Sequence, residues 1–187
     1  IMIAARNLAG ADGPRFSVVR YGNVLGSRGS VLPYFRNLID KGADHLPITD
    51  DRMTRFFITL EAGVDFVLGS LAMMVGGEFF IPKIPSVRIS ALATAMAPDL
   101  PQKSVGIRPG EKLHEVMVTE DDARTTIGLE DRYVILPFLL DSPIYEKYRE
   151  AGEFVPDGFS YSSDTNVQWL KDGPLAELVT QVESAQR

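Results

Sequence analysis

Four arginines, in three separate stretches, stand on or beside turns and could grip phosphate. Arg28 lies in residues 20–35, RYGNVLGSRGSVLPYF, where Gly22, Gly26 and Gly29 alternate with Asn23, Ser27 and Ser30. Glycines let a backbone turn sharply and aim N–H groups at an anion, which Arg28 and Asn23 would also meet. Arg108 opens an Arg-Pro-Gly turn at residues 108–110, and a guanidinium there can hold a diphosphate with forked donors. Arg52 and Arg55 precede the apolar run 56–58. On a strand they would face opposite sides, so only one need point into a site. Each feature also has a plain reading: a turn without a ligand, surface charges beside a turn, and a solvated pair of cations. The glycine spacings of four and three are not the dinucleotide fingerprint, and no Lys-Ser/Thr pair follows as in a phosphate-binding P-loop.

Other chemistry is narrowed by what the 187 residues contain. There is no cysteine, which removes disulfides and zinc-thiolate sites and permits a reducing compartment. Two histidines are too few for a histidine cluster: His45 reads as a solvated loop residue beside Asp44, and His114 as a helix-surface partner of Glu111. A formal charge of −6 argues against a general nucleic-acid binder, so an anionic ligand must be caught locally. With 45% hydrophobic and 24% charged residues the chain has the composition of a soluble globular domain. No apolar run reaches the ~18 residues needed to span a bilayer, and the amino end lacks the basic-then-apolar layout of a signal peptide.

The elements that must position these groups alternate between strand and helix, which implies a layered α/β arrangement. A strand over residues 16–19 leads through the glycine-rich turn into a helix that starts near Ser30 or Val31 and runs to Asp40. Residues 42–50 contain Pro47 and suit an edge strand or loop. Thr59 can cap a helix whose apolar positions, Leu60, Val64, Val67, Leu68 and Leu71, follow one helical face and predict burial in the core. Gly76-Gly77 stops it before a strand at 78–82, and further helices are expected at 91–97, 145–150 and from Pro174 to about Val182. A strand is expected at 133–136, and another delivers Arg108 to its turn. Residues 1–9 have helix-forming composition and meet stop signals at Gly10 and Asp12-Gly13-Pro14, with no start signal before them.

Three segments together carry a resemblance: residues 20–35, LPITDDRMTRFFIT at 46–59, and GIRPGEKLHEVM at 106–117. They resemble the carboxyl-terminal half of the extended short-chain dehydrogenase/reductases, and within them the inverting UDP-N-acetylglucosamine 4,6-dehydratases of nucleotide-sugar and flagellin-glycan biosynthesis. The resemblance runs in order from Phe16 to Leu170. It implies one incomplete domain over residues 1–187, with late Rossmann-like elements and a smaller substrate-binding region, the amino-terminal dinucleotide-binding half lying upstream of Ile1. It further implies a cytoplasmic enzyme, a homo-oligomer when complete.

Position by position, the resemblance places Asn23 and Val31 at the sugar nucleotide, and Val24, Leu25, Gly26, Ser27 and Arg28 at NADP. Thr49 would lie by the uridine, Arg108 would clamp the diphosphate with Arg55 as a second cation, and the Asn166, Val167, Gln168 segment would close over the nucleotide. The family's reaction oxidises the sugar at C4 with NADP, removes water across C5 and C6, and returns the hydride to C6 with inversion at C5. It needs a Tyr-x-x-x-Lys helix, an acid/base pair that includes a lysine, and a glycine-rich dinucleotide fingerprint. No tyrosine here has a lysine four residues on, so no catalytic residue is assigned within the chain. A UDP-sugar epimerase, a retaining dehydratase, or a non-catalytic nucleotide-sugar binding module remain the alternatives.

Overall fold

The computed structural model describes residues 13–137 and 143–185, so the helix expected at residues 1–9 lies outside the described residues. The fold is mixed α/β, and the chain passes back and forth between two compact units, each built from three segments. Of the described residues, 13–21, 61–83, 116–137 and 143–161 form the first, and 22–60, 84–115 and 162–185 the second.

In the first unit, Val18–Val19 pairs parallel with Phe79–Pro82. From there the sheet continues antiparallel through Arg132–Ile135, Thr126–Gly128 and Glu153–Phe154. Phe80, Ile127, Val134 and Tyr148 fill its core beside Phe66 of the helix Leu60–Met73. Glu78 is completely buried in this unit. Its carboxylate accepts from the amides of Val75 (2.7 Å) and Gly76 (2.8 Å) and the hydroxyls of Ser17 and Tyr148, so the charge is fully ligated.

The helix Leu60–Met73 corrects the expected burial. Leu60, Val64, Val67, Leu68 and Leu71 are exposed, Leu60 and Leu71 at 63% each. Gly63, Phe66 and Ser70 turn inward instead, an i, i+3, i+7 face. Arg132 explains the choice, because its guanidinium lies 4.6 Å from the Phe66 ring and donates to Ser70 Oγ at 3.0 Å. A buried arginine needs such partners.

The second unit is built on Thr54–Ile58, a strand whose five residues are all buried. Asn23–Val24 lies parallel on one side, with Asn23 opposite Phe57, and Ser86–Arg88 antiparallel on the other. Leu46–Ile48 and Gln102–Ser104 form a separate parallel pair. Leu32 and Phe35 of the helix Val31–Asp40, Ile89 and Leu92 of Ile89–Met96, and Leu175 and Val179 of Asp172–Ala185 close over Leu46, Ile48 and Phe57. Two further expectations are corrected here. The strand expected to carry Arg108 ends at Ser104, and His114 is not on a helix but shares a 2.8 Å hydrogen bond between its Nδ1 and Thr54 Oγ1.

Candidate functional site

The second unit holds a cleft of about 520 Å³. One wall is the start of the helix Val31–Asp40, contributing Gly29, Ser30, Val31 and Tyr34. Gly29 has φ +77, which turns the chain into Ser30, an extended residue at the helix N-cap. Ser30 makes no side-chain cap bond, and its Oγ is buried without a hydrogen-bond partner among the described residues. A serine at this position ordinarily caps the helix, so the unused hydroxyl is a spare polar group at the positive end of a helix dipole.

The opposite wall comes from the parallel pair. Because Leu46–Ile48 and Gln102–Ser104 run the same way, both release their chains at one end, where Val105 N donates to Ile48 O at 2.8 Å. Thr49 and Val105 therefore stand together on the cleft, followed by Arg108 and Glu111. The loop at 105–110 is exposed throughout. Arg108 and Glu111 close a turn, Glu111 N donating to Arg108 O at 3.0 Å and Arg108 N to Glu111 Oε2 at 3.3 Å. The Arg108 guanidinium has no ion pair among the described residues and is free to meet an anion. Val31, Pro33, Tyr34, Pro47 and Ile89 supply apolar surface for a ring system, while the helix start and Arg108 supply positive potential.

Of the residues expected from sequence, Val31, Thr49 and Arg108 line this cleft, although they lie far apart in the chain. Asn23 is exposed on its strand and does not line it, nor do Val24, Leu25, Gly26, Ser27 and Arg28. Fewer loop amides face outward than the glycines suggest: those of Leu25, Ser27 and Ser30 donate to the carbonyls of Ile58, Val24 and Ser27. Leu25 packs into the core, while Ser27 and Arg28 are exposed beside Gly26 at φ +80.

The arginine pair does diverge. Arg52 is solvated and forks onto Asp50, which its hydrogen bonds hold at a pKa lowered to about 2. Arg55 is buried and donates to the carbonyls of Thr54, Lys112 and Leu113. Burial lowers its pKa, opposed by the charges of Glu115 and Glu111. Asn166 is also buried and committed to the fold, its Nδ2 lying 2.9 Å from Ile84 O, 3.1 Å from Ser86 Oγ and 2.9 Å from Gln168 O. Beside it Val167 projects at 93% exposure. Among the described residues no group of histidine and carboxylate side chains could hold a metal. Tyr34, Asn37 and Ile89 are among the lining residues that sequence reasoning left without a role, and it read Ser30 and Glu111 only as a turn residue and as a partner of His114. Tyr34 was accessible to it, because Val31 and Tyr34 share a helical face.

Comparison with known proteins gives these residues a context. A family model described as "Polysaccharide biosynthesis protein" matches residues 1–137. A "UDP-N-acetylglucosamine 4,6-dehydratase (inverting)" from Campylobacter jejuni subsp. jejuni serotype O:23/36 (strain 81-176) is 52% identical over 188 residues, covering 98% of this chain and 56% of that protein. A "UDP-glucose 4-epimerase" from Rickettsia massiliae (strain Mtu5) is 39% identical over 140 residues, 73% of this chain and 40% of its own length. The chain thus spans about half the length of the curated relatives it matches. Among solved structures, "X-ray structure of Pen from Bacillus thuringiensis" superposes with a TM-score of 0.80 at 28% identity, over 99% of this chain and 55% of that one.

Proposed function

This chain belongs to the polysaccharide biosynthesis protein family, and from that premise we propose that it is the sugar-nucleotide-binding part of an NADP-dependent UDP-N-acetylglucosamine 4,6-dehydratase, inverting at C5, with an extended short-chain dehydrogenase/reductase fold. The carrying observation is the cleft in which Val31, Thr49 and Arg108 meet beside the unpartnered Ser30 hydroxyl. A UDP-sugar needs an apolar wall for its base and fixed positive charge for its diphosphate, and both are present here.

In this reading Arg108 and the helix start take the diphosphate, Thr49 lies by the uridine, and Val31 packs against the substrate. Asn23 and the Asn166, Val167 segment border the sugar nucleotide through its outer parts. The exposed Ser27 and Arg28 fit a phosphate-bearing cofactor, whereas the buried Leu25 would offer only its backbone. NADP, when bound, accepts a hydride from the sugar and returns it. No tyrosine in the sequence is followed by a lysine four residues on, so no proton-transfer role is given to a residue of this chain.

The relatives named as epimerases support a second reading, a UDP-sugar 4-epimerase, at lower identity and coverage. Calorimetric titration with UDP-N-acetylglucosamine, UDP-glucose and GDP-mannose tests the assignment. The dehydratase reading expects UDP-N-acetylglucosamine to bind most tightly. Preference for UDP-glucose favours the epimerase reading, and equal affinity for GDP-mannose or no binding contradicts both.

A further inference from the structure

Arg108, whose guanidinium has no ion pair among the described residues, sits on a loop held mainly at its ends and by its turn with Glu111. Residues 105–110 are all exposed, and Gly106 and Gly110, at φ +85 and +82, bracket the arginine with flexible joints. One end of the loop is tied by Val105 N to Ile48 O at 2.8 Å. At the other end, Arg55 reaches up from the central strand. Its Nη2 donates to Lys112 O at 2.7 Å, and its Nη1 to Leu113 O at 3.1 Å and Thr54 O at 2.7 Å. The backbone amide of Thr54 also donates to Leu113 O, at 3.1 Å.

A buried guanidinium that spends its donors on main-chain carbonyls is costly unless it fixes something. A planar fork can bridge two successive carbonyls at set angles, which an ammonium cannot do. Glu115, 3.6 Å from Arg55 Nε, offsets the charge beneath the loop. Arg55 does not line the cleft, and its contacts aim it at the loop's backbone.

We propose that Arg55 is a positioning residue for Arg108: by clamping the carbonyls of Lys112 and Leu113 it fixes the end of the loop that presents Arg108 to a nucleoside diphosphate. It does not touch the diphosphate itself. The inference rests on the nucleotide-sugar reading above, which placed Arg108 at the diphosphate.

A double-mutant cycle separates the possibilities, with UDP and uridine titrated into the protein and into Arg55→Lys, Arg55→Met, Arg108→Gln and the doubly substituted forms. Loss of a charge-assisted contact predicts that Arg108→Gln weakens UDP binding about 10- to 100-fold and leaves uridine unchanged. Arg55→Lys and Arg55→Met are expected to weaken UDP by about the same factor as one another, since charge without the fork does not rescue. In the Arg108→Gln background either change should cost less than about twofold more, as expected for residues acting through one contact. If Arg55→Lys rescues, or the losses multiply, Arg55 is itself a ligand and the proposal is overturned. Equal loss of UDP and uridine affinity assigns it a merely structural role and overturns it too. If the unsubstituted protein binds no UDP, the function reading falls and this inference with it. Should the Arg55 variants not fold, amide exchange in the unsubstituted protein decides: the amides of Lys112 and Leu113 must exchange more slowly than those of Gly106, Ile107 and Gly110, and equal rates contradict the clamp.

Discussion

Gly22 lies so close to Phe56 that a Cβ on the glycine would stand 2.4 Å from the Phe56 carbonyl oxygen and 2.6 Å from its Cβ. This approach lets Asn23–Val24 pair with Phe57–Ile58 and sends the chain on toward Gly29 and Ser30. No side chain fits there without moving the central strand. Gly22→Ala should therefore cost about 3 kcal/mol or more, the upper range for overpacking. Denaturant unfolding with a shifted midpoint checks it, and a change below 1 kcal/mol, on the order of a surface substitution, contradicts the packing.

Ser30 makes the opposite prediction. Removing an N-cap serine ordinarily costs about 1 kcal/mol, but this hydroxyl caps nothing and is buried unpaired. Ser30→Ala should leave stability within about 0.5 kcal/mol. The same substitution should weaken UDP binding about fivefold, the worth of one hydrogen bond. A stability loss of a full cap, with UDP affinity unchanged, would show that the hydroxyl serves the helix and not a ligand.

On the helix Leu60–Met73 the two faces should respond unequally. Phe66 is buried and stacked with Arg132, whereas Leu68 is 57% exposed. Phe66→Ala is expected to cost about 3–5 kcal/mol and Leu68→Ala less than about 1. Comparable losses would mean that the outer face is covered in solution.

That helix also shows where sequence reading stops. Its presence was legible, but apolar residues surround it, and periodicity cannot choose a face when both carry them. The choice is made by Arg132, which comes from a strand 62 residues beyond Ser70. By contrast, the helix Val31–Asp40 was legible to within a residue of its start, because Gly29 and Ser30 precede it, while its buried residues, Leu32 and Phe35, emerge from the packing. Gln102–Ser104 was not, since three exposed polar residues carry no alternation and the strand exists through its partner Leu46–Ile48. Arg108 was legible from its Arg-Pro-Gly turn and Thr49 only by resemblance, and that they share a cleft follows from that same pairing. Arg55 was recognised as a cation that could differ from Arg52. Its carbonyl partners, Lys112 and Leu113, are long-range and leave no local mark.

Acid sensitivity follows from Asp131, whose pKa is lowered chiefly by its hydrogen bond to Arg132. A carboxylate held below its unfolded value of 3.8 stabilises the fold above that pH and loses the contribution as pH falls through the folded value. Asp131→Asn should remove this part of the acid limb. Unfolding midpoints at pH 6, 4 and 3 should fall more steeply for the unsubstituted protein than for the variant, and parallel profiles contradict the assignment.

Binding of a UDP-sugar in the cleft at the start of the helix Val31–Asp40 can be read residue by residue from backbone-amide NMR during titration with UDP-N-acetylglucosamine. Saturable shifts are expected, largest at Ser30, Val31, Thr49 and Arg108, and in Arg108→Gln those at Ser30, Val31 and Thr49 should need about 10- to 100-fold more ligand. Shifts confined to residues elsewhere, or none up to millimolar ligand, would contradict it.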